Sequence, residues 1–225
     1  MKILVVAPHA DDETLGAGGA MARFASEGHE VHVAVMTGHG EQPHPLWPPE
    51  AWDTIRREAR EACDRMGVSR LIFKDIPAVL APDLPAWKLN RAAQETLEEC
   101  APEMLLLPFP GDMHGDHRAL FHAFSVAYRP VSAAGRGVKE IYVYETASET
   151  HWNFAAAEAG FVPDVFVDIS AHLKTKLEAF SCYRSQVKDA PHARSLEALH
   201  ALATWRGSLV GVAAAEAFML VRRLI

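Results

Sequence analysis

Two clusters of histidine and carboxylate side chains are the residues of this sequence best suited to chemistry. Residues 9–13 read His-Ala-Asp-Asp-Glu, and residues 112–117 read Asp-Met-His-Gly-Asp-His. Each cluster comes shortly after an apolar run, 3–7 for the first and 104–107 for the second. So many ionisable groups at the ends of buried strands cost stability unless something compensates them. A divalent metal ion would do so, because imidazole and carboxylate groups are zinc ligands.

Three of these side chains form a candidate ligand set. The carboxyl ends of parallel strands meet at one edge of a sheet, where α/β proteins bind their ligands. His9 and Asp12 are three residues apart, so both side chains can point to the same side of a turn. With His117 they would provide three nitrogen or oxygen ligands and leave one position for water, which is the pattern of a catalytic zinc site. Asp11 lies between the first two and must point elsewhere.

Each cluster taken alone has a simpler explanation. Asp11 or Asp12 would be favoured at a helix N-terminus by the helix dipole, and a His-x-x-His pattern is often a surface feature. The joint occurrence of both clusters after buried strands favours the metal site. The glycine-rich residues 16–19 could instead indicate a dinucleotide site, but they come late after the strand, and the preceding acids would repel a pyrophosphate. Close packing of a helix on the sheet is the better explanation of these glycines.

The elements that must position the two clusters alternate between short apolar strands and longer amphipathic helices. The strand-like runs are 3–7, 31–36, 71–73, 104–107, 141–144 and 165–167, and the helical patterns are 13–28, 49–66, 85–100, 117–128, 171–183 and 195–206. This order predicts an α/β fold: a Rossmann-like, mostly parallel sheet with helices on both faces and the active site at the carboxyl ends of the strands. We expect one domain over residues 1–225. The amphipathic segment 213–225 could belong to the core or to an interface.

Composition argues against several classes of function. The formal net charge is −7 and no run is rich in lysine or arginine, so nucleic acid is not an expected partner. No apolar segment approaches the roughly 20 residues needed to span a bilayer, and the short apolar run at the N-terminus is unlike a signal peptide. We therefore expect a cytoplasmic protein. The three cysteines, Cys63, Cys100 and Cys182, are odd in number and far apart, which predicts reduced thiols.

At the two clusters, the chain resembles the LmbE-like/PIG-L family of zinc-dependent N-deacetylases. The first motif of that family is Ala-His-Pro-Asp-Asp-Glu and the second is His-x-Asp-His, and the matching residues here are 8–13 and 114–117. The stretch 161–170 looks like a later strand of the family. Three short stretches, 185–186, 205–207 and 215–218, look like its C-terminal signatures and fall in the expected order.

The resemblance implies a role for each residue of the clusters. His9, Asp12 and His117 would bind zinc or another divalent transition metal. Asp11 would be the general base that deprotonates the attacking water, which requires a carboxylate within hydrogen-bond reach. Two further roles belong to the second cluster. His114 would stabilise the developing oxyanion or protonate the leaving amine. Asp116 would orient His114 and favour its imidazolium form.

Two departures from the family pattern affect the site. The proline between the histidine and the first aspartate is replaced by Ala10, while Pro8 precedes the histidine; this leaves the ligands intact and changes the stiffness of the loop. A substrate-binding arginine of the family falls near Arg56 or Arg57, and we assign Arg56 to that role. A solvated helix face is an equally good explanation of this arginine.

The resemblance implies a hydrolase that removes an acetyl group from an N-acetylglucosamine-type amino sugar or its conjugate, and it also implies a homo-oligomer. Two rivals stay open at this point. One is another metal-dependent hydrolase, either a single-metal amidase or esterase or a phosphoesterase, which with two metals would need more ligands than these three. The other is a non-catalytic binding protein that keeps the metal. Two long connections, 37–49 and 145–163, predict lids or specificity loops, or else surface loops without a role. Their aromatic residues Trp47, Trp152 and Phe154 could stack on a sugar face or anchor the loops.

Overall fold

The computed structural model describes residues 1–41, 43–153 and 160–225. Within these residues the strands are β1 (Lys2–Ala7), β2 (Glu30–Gly38), β3 (Arg70–Pro77), β4 (Met104–Pro108), β5 (Glu140–Tyr144), β6 (Val165–Asp168) and β7 (Ala215–Arg223). The α-helices are α1 (Asp12–Ser26), α2 (Pro49–Arg65), α3 (Ala86–Cys100), α4 (Gly115–Ala127), α5 (Ala133–Gly137), α6 (Leu173–Phe180) and α7 (Leu196–Ser208). A short 3₁₀ turn, Ala81–Asp83, precedes α3.

The strands form one sheet in the order β3-β2-β1-β4-β5-β7-β6. The pairs β2–β3, β1–β2, β1–β4 and β4–β5 are parallel, whereas β7 is antiparallel to both β5 and β6. The chain runs outward from β1 to β3 and then returns to place β4 on the other side of β1. This reversal creates a crevice at the carboxyl ends of β1 and β4, which is where ligands bind in open α/β sheets.

Both faces of the sheet are covered, as the continuous apolar strands predict. Successive residues of β1 point to opposite faces: Val5 packs in a cluster with α1 and α2, and Leu4 packs in a second cluster with α3 and α4. The structure therefore confirms the α/β class and the mostly parallel sheet. The amphipathic segment at the C-terminus is β7, an internal strand of the sheet. In the described part of the chain, every helix is too short or too polar to traverse a bilayer.

The glycines of α1 allow this helix to lie close to the sheet. A Cβ atom on Gly16 would be 2.1 Å from the ring of Tyr144, and one on Gly19 would be 2.6 Å from Ile169. The helix is kinked at Ala17, and the carboxylate of Glu216 accepts the freed N–H groups of Gly19 and Ala20, at 2.9 and 2.7 Å. Packing, and not phosphate binding, thus accounts for the glycine-rich stretch.

Substituting Gly16 by alanine is expected to lower the free energy of unfolding by about 1–3 kcal/mol, because the new methyl group must displace the buried ring of Tyr144. Urea unfolding followed by circular dichroism measures this change. Gly137→Ala is the matched control, since the nearest heavy atom to its added Cβ lies 4.0 Å away. Equal unfolding midpoints for the two variants would contradict the tight packing of α1.

Candidate functional site

Three predicted metal ligands meet in the crevice between β1 and β4. Asp12 begins α1 directly after the turn that follows β1, and His117 lies in the first turn of α4. The Oδ2 atom of Asp12 is 3.2 Å from His9 Nδ1 and 3.1 Å from His117 Nε2. The ligand atoms of these three residues all lie within 4.8 Å of one another. One cation can therefore contact all three side chains without a change of fold.

The unpaired atoms at this point test whether a metal fits. Asp12 and His117 are fully buried, yet among the described residues Asp12 Oδ1 and His117 Nε2 make no hydrogen bond of good geometry, although Nε2 lies 3.1 Å from Asp12 Oδ2. Buried polar atoms are nearly always paired, because an unpaired one loses its hydration without compensation. Burial disfavours charge on the imidazoles, but nearby carboxylates raise the pKa of His9 to about 9 and that of His117 to about 10. The atoms without hydrogen bonds and the carboxylates beside both imidazoles suit a bound cation, which would take the place of the imidazole protons.

A carboxylate stands behind each of the two histidines. His117 Nδ1 donates to Asp112 Oδ2 at 2.7 Å, and His9 Nε2 donates to Asp116 Oδ2 at 2.8 Å. Thr150 in turn donates to Asp112. A carboxylate on the far nitrogen fixes the tautomer of a ligating histidine, so the other nitrogen is free to face a metal. Both histidines are thus prepared as ligands.

The carboxylate of Asp116 contacts other groups than the His114 ring that it was expected to orient. Its Oδ2 atom accepts the N–H of Val79 at 2.6 Å, and its Oδ1 atom accepts the N–H of Ala81 at 3.1 Å. The carboxylate therefore faces His9 and the backbone of residues 79–81, and it lies 4.0 Å from His114 Nδ1. The hydrogen bond to His114 comes from the backbone N–H of Asp116, which donates to Nδ1 at 3.2 Å.

Asp116→Asn is expected to weaken the binding of a divalent metal by about 10- to 100-fold, because the amide holds the His9 ring less firmly than the carboxylate does. Chelator competition measures the affinity directly. Asp83→Asn is the control, since that aspartate is exposed at the end of the neighbouring 3₁₀ turn. Unchanged affinity in Asp116→Asn would show that its contact with His9 does not support metal binding.

The charge state of His114 also differs from the expectation. The residue caps the N-terminus of α4, and its ring centroid lies 4.4 Å from that of His9. Burial, together with the charge of His9, lowers the pKa of His114 to about 4. Because Nδ1 accepts a hydrogen bond, the single ring proton is on Nε2. His114 is therefore a neutral hydrogen-bond donor and not an imidazolium.

Asp11 occupies an unusual backbone conformation beside the ligands. Its φ angle is +123°, which residues other than glycine rarely adopt, and its side chain is buried. The N–H of Asp11 donates to Glu13 Oε2 at 3.1 Å, and the other oxygen of Glu13 accepts the hydroxyl groups of Thr14 and Tyr183, at 2.6 and 2.5 Å. Burial raises the pKa of Asp11 to about 8 against the opposing charge of Arg194. Glu13, which had no role from the sequence, thus helps to fix the turn.

The sequence model described as GlcNAc-PI de-N-acetylase, or PIG-L, matches residues 4–128, which is more than half of the 225-residue chain. Both histidine–carboxylate clusters lie inside this segment. The chain belongs to the PIG-L family. It is therefore a member of a family of hydrolases that act on amide bonds.

Two relatives match this PIG-L family chain over most of its length. One is the 1D-myo-inositol 2-acetamido-2-deoxy-alpha-D-glucopyranoside deacetylase of Mycolicibacterium vanbaalenii, which is 25% identical over 86% of this chain and 84% of the relative. The other is the probable N-acetyl-alpha-D-glucosaminyl L-malate deacetylase 2 of Bacillus cereus, 27% identical over 83% of this chain and 84% of the relative. The two names share an N-acetylated glucosamine and differ in the group attached to it.

Solved structures share the fold over almost the whole chain. A conserved protein of Thermus thermophilus superposes with a TM-score of 0.77, at 26% identity, over 99% of this chain and 96% of that one. The 4-carboxy-2-hydroxymuconate hydratase of Pseudomonas putida superposes with a TM-score of 0.76, at 22% identity, over 100% of this chain and 97% of that one. The second match shows the fold alone, and it shows that the fold does not fix the reaction.

A cavity of about 610 Å³ reaches the candidate ligand His9. Asp11 and His114 also line it, together with Trp47, several residues of α2 and Phe73. The arginine singled out from the sequence, Arg56, is among them; it donates to Asp75 at 3.2 Å, and its guanidinium lies 5.5 Å from the Phe73 ring centroid. The cavity thus places this arginine within the same enclosure as the clusters.

The aromatic residues of the two long loops differ in their position relative to the cavity. Trp47 lines the cavity and stacks on the buried ring of His44, with centroids 5.1 Å apart. Trp152 is exposed and contacts His192, and it does not line this cavity. Phe154 lies outside the described residues. Of the described pair, only Trp47 is placed to contact a ligand in the cavity.

Arg194 is the cavity residue for which the sequence provided no signal. It lies between α6 and α7, eight residues after Gln186, in a segment without a recognisable chemical pattern. The structure brings its guanidinium to Asp11 Oδ2 at 3.2 Å. A contact between residues 183 positions apart cannot be read from local periodicity.

Proposed function

We propose that this PIG-L family chain is a zinc-dependent N-deacetylase of N-acetylglucosamine-type amino sugars or their conjugates. The observation that carries this proposal is the convergence of His9, Asp12 and His117, together with the place of His9, Asp11 and His114 in the wall of one cavity. A set of two imidazoles and one carboxylate suits zinc and leaves a position open for reaction. Zinc held there would polarise the amide carbonyl and bring the pKa of a bound water to about 7.

Asp11 and His114 carry the two remaining tasks of amide hydrolysis, which are proton transfer and stabilisation of the oxyanion. Asp11 takes the proton of the attacking water, since its carboxylate lies beside the ligand set and is held there by Glu13 and Arg194. His114 presents Nε2–H toward the developing oxyanion, because its Nδ1 is occupied by a backbone hydrogen bond. In this proposal the oxyanion accepts a hydrogen bond from a neutral imidazole, whereas the resemblance implied an imidazolium at that position.

The substrate class rests on the relatives and on the composition of the cavity. The two curated relatives are both named for N-acetylglucosamine linked to a second group. In this chain, Trp47 offers an aromatic face for a sugar ring, and Arg56 offers donors for its hydroxyl groups. An amino sugar bound by these two side chains would share the cavity with Asp11 and His114, the groups proposed to act on its acetamido group.

An acetate-release assay on the zinc-loaded protein tests the proposal. The panel contains N-acetylglucosamine, its inositol and malate glycosides, N,N'-diacetylchitobiose, and matched O-acetyl esters. Release of acetate from at least one N-acetylated sugar, with none from the protein treated with chelator, is the expected result. Hydrolysis of the esters alone would assign the site to an esterase, and no release from any compound would remove the substrate proposal.

A further inference from the structure

Arg194 is the centre of a hydrogen-bonded network in the wall of the cavity. Its Nη1 donates to Asp11 Oδ2 at 3.2 Å and to Gln186 Oε1 at 3.4 Å. Its Nη2 donates to Glu149 Oε1 at 3.2 Å, and its Nε donates to Ser148 Oγ at 3.1 Å. The side chain is 21% exposed. All three guanidinium nitrogens are engaged, and two carboxylates face the positive charge.

The loop after β5 is built to present two of these partners. Arg206 of α7 donates two hydrogen bonds to Glu145 at the start of the loop, at 2.8 and 2.5 Å. Ser148 is buried and has a φ angle of +76°, a conformation that costs free energy unless the surroundings enforce it. The hydroxyl of Ser148 both accepts from Arg194 and donates to Glu149 at 3.0 Å. Strained loops that the surrounding structure holds in place are typical of functional sites, so we expect the Arg194 side chain that this loop contacts to have a function.

The segment before α7 is fixed independently. Glu58 of α2 is buried, and its carboxylate accepts the N–H and the hydroxyl of Ser185, at 3.1 and 2.6 Å. Ser185 precedes Gln186, which accepts from Arg194. Two separate parts of the chain thus hold the guanidinium in place before any ligand arrives. Preorganisation of this kind is a feature of groups whose position matters for a reaction.

We infer that Arg194 is a positioning residue that holds the Asp11 carboxylate toward the ligand set; this inference rests on the proposed role of Asp11. The reason is geometric. Asp11 has a strained backbone, and Glu13 fixes only its N–H. The orientation of its carboxylate depends on the hydrogen bond from Arg194. A planar guanidinium reaches Asp11 and Glu149 at the same time with fixed geometry, which the single ammonium of a lysine cannot reproduce.

Three variants test this inference: Arg194→Gln, Arg194→Lys and the control Arg184→Gln. Arg184 is exposed and pairs with Glu61 on the surface, ten residues before Arg194. For Arg194→Gln we expect a kcat about 100-fold below that of the wild type, with little change in KM or in zinc content, because a base displaced by about 1 Å costs that much. The kcat of Arg194→Lys is expected to lie between those of Arg194→Gln and the wild type. The kcat of the control Arg184→Gln is expected to match that of the wild type.

A crystal structure of zinc-loaded Arg194→Gln gives a second, activity-independent result. The Asp11 carboxylate is expected to rotate away from its present position while His9, Asp12 and His117 stay in place. A wild-type kcat in Arg194→Gln, even with a lower melting temperature, would overturn the inference by showing a purely structural tie. An unmoved Asp11 carboxylate would overturn it as well. Failure of the wild type to release acetate would instead contradict the proposed function, and the crystal structure would still decide the role of Arg194.

Discussion

Asp11→Asn is expected to lower kcat by about 10²- to 10⁴-fold while zinc remains bound. The asparagine has the shape of the aspartate and cannot accept a proton from water at neutral pH. The proposed ligands His9 and Asp12 are joined by a hydrogen bond from the backbone N–H of His9 to Asp12 Oδ2, at 2.8 Å, which does not involve the Asp11 side chain. In this variant kcat should therefore fall while the metal content stays the same. Acetate release and metal analysis of the same preparation measure both quantities.

Asp53→Asn is the matched control for this substitution. Asp53 is exposed on α2, so the same loss of one negative charge there is expected to leave kcat and zinc content unchanged. Retained turnover in Asp11→Asn would remove the general-base role from this residue. Loss of zinc together with turnover would show that Asp11 acts on the metal site and not on the water.

His117→Ala is expected to abolish stoichiometric zinc binding and, with it, turnover. A side chain that hydrogen-bonds to a metal ligand contributes about 10- to 100-fold in affinity, and loss of a direct ligand costs more than that. The substitution also leaves the buried carboxylates of Asp12 and Asp112 without the imidazole that lies between them, 3.1 and 2.7 Å away. Breaking a buried ion pair in this way costs about 3–5 kcal/mol, so the metal-free variant should unfold at lower urea concentration than the metal-free wild type.

His122→Ala controls for the loss of an imidazole from the same helix, because His122 is exposed on α4. It is expected to keep the zinc content, the turnover and the unfolding midpoint of the wild type. Full zinc occupancy in His117→Ala would refute the ligand role of this histidine. His117→Gln provides a folded comparison if the alanine variant is too unstable to purify, and it should also lose zinc.

The strand and helix pattern could be predicted because it depends on local sequence. The apolar run of β1 is buried on both faces, and its five consecutive apolar residues show this before any partner strand is known. The clusters after β1 and β4 could also be placed at one edge of the sheet, because parallel strands end on the same side of it. β7 was harder to assign: its first residues are buried and its last are exposed, and its pairing with β5 and β6 depends on distant residues.

The roles within the second cluster could not be separated from the sequence. Asp116 and His114 are two residues apart, and the family resemblance implied that the carboxylate orients the histidine. The carboxylate instead accepts the N–H groups of Val79 and Ala81, more than 30 residues earlier in the chain. Val79 reaches it only because its φ angle is +61°, an unusual value for a β-branched residue. No local pattern predicts that conformation.

The sequence by itself determined the fold class, the family and the side chains available for metal binding. These follow from the types and spacing of residues that are close together along the chain, since His9 and Asp12 share one turn and His117 lies in the first turn of one helix. Only the tertiary structure decided what holds each group: Asp116 behind His9, and Arg194 on the carboxylate of Asp11. These contacts join residues more than 100 positions apart, and their geometry depends on the packing of loops, for which a linear sequence has no periodic signal.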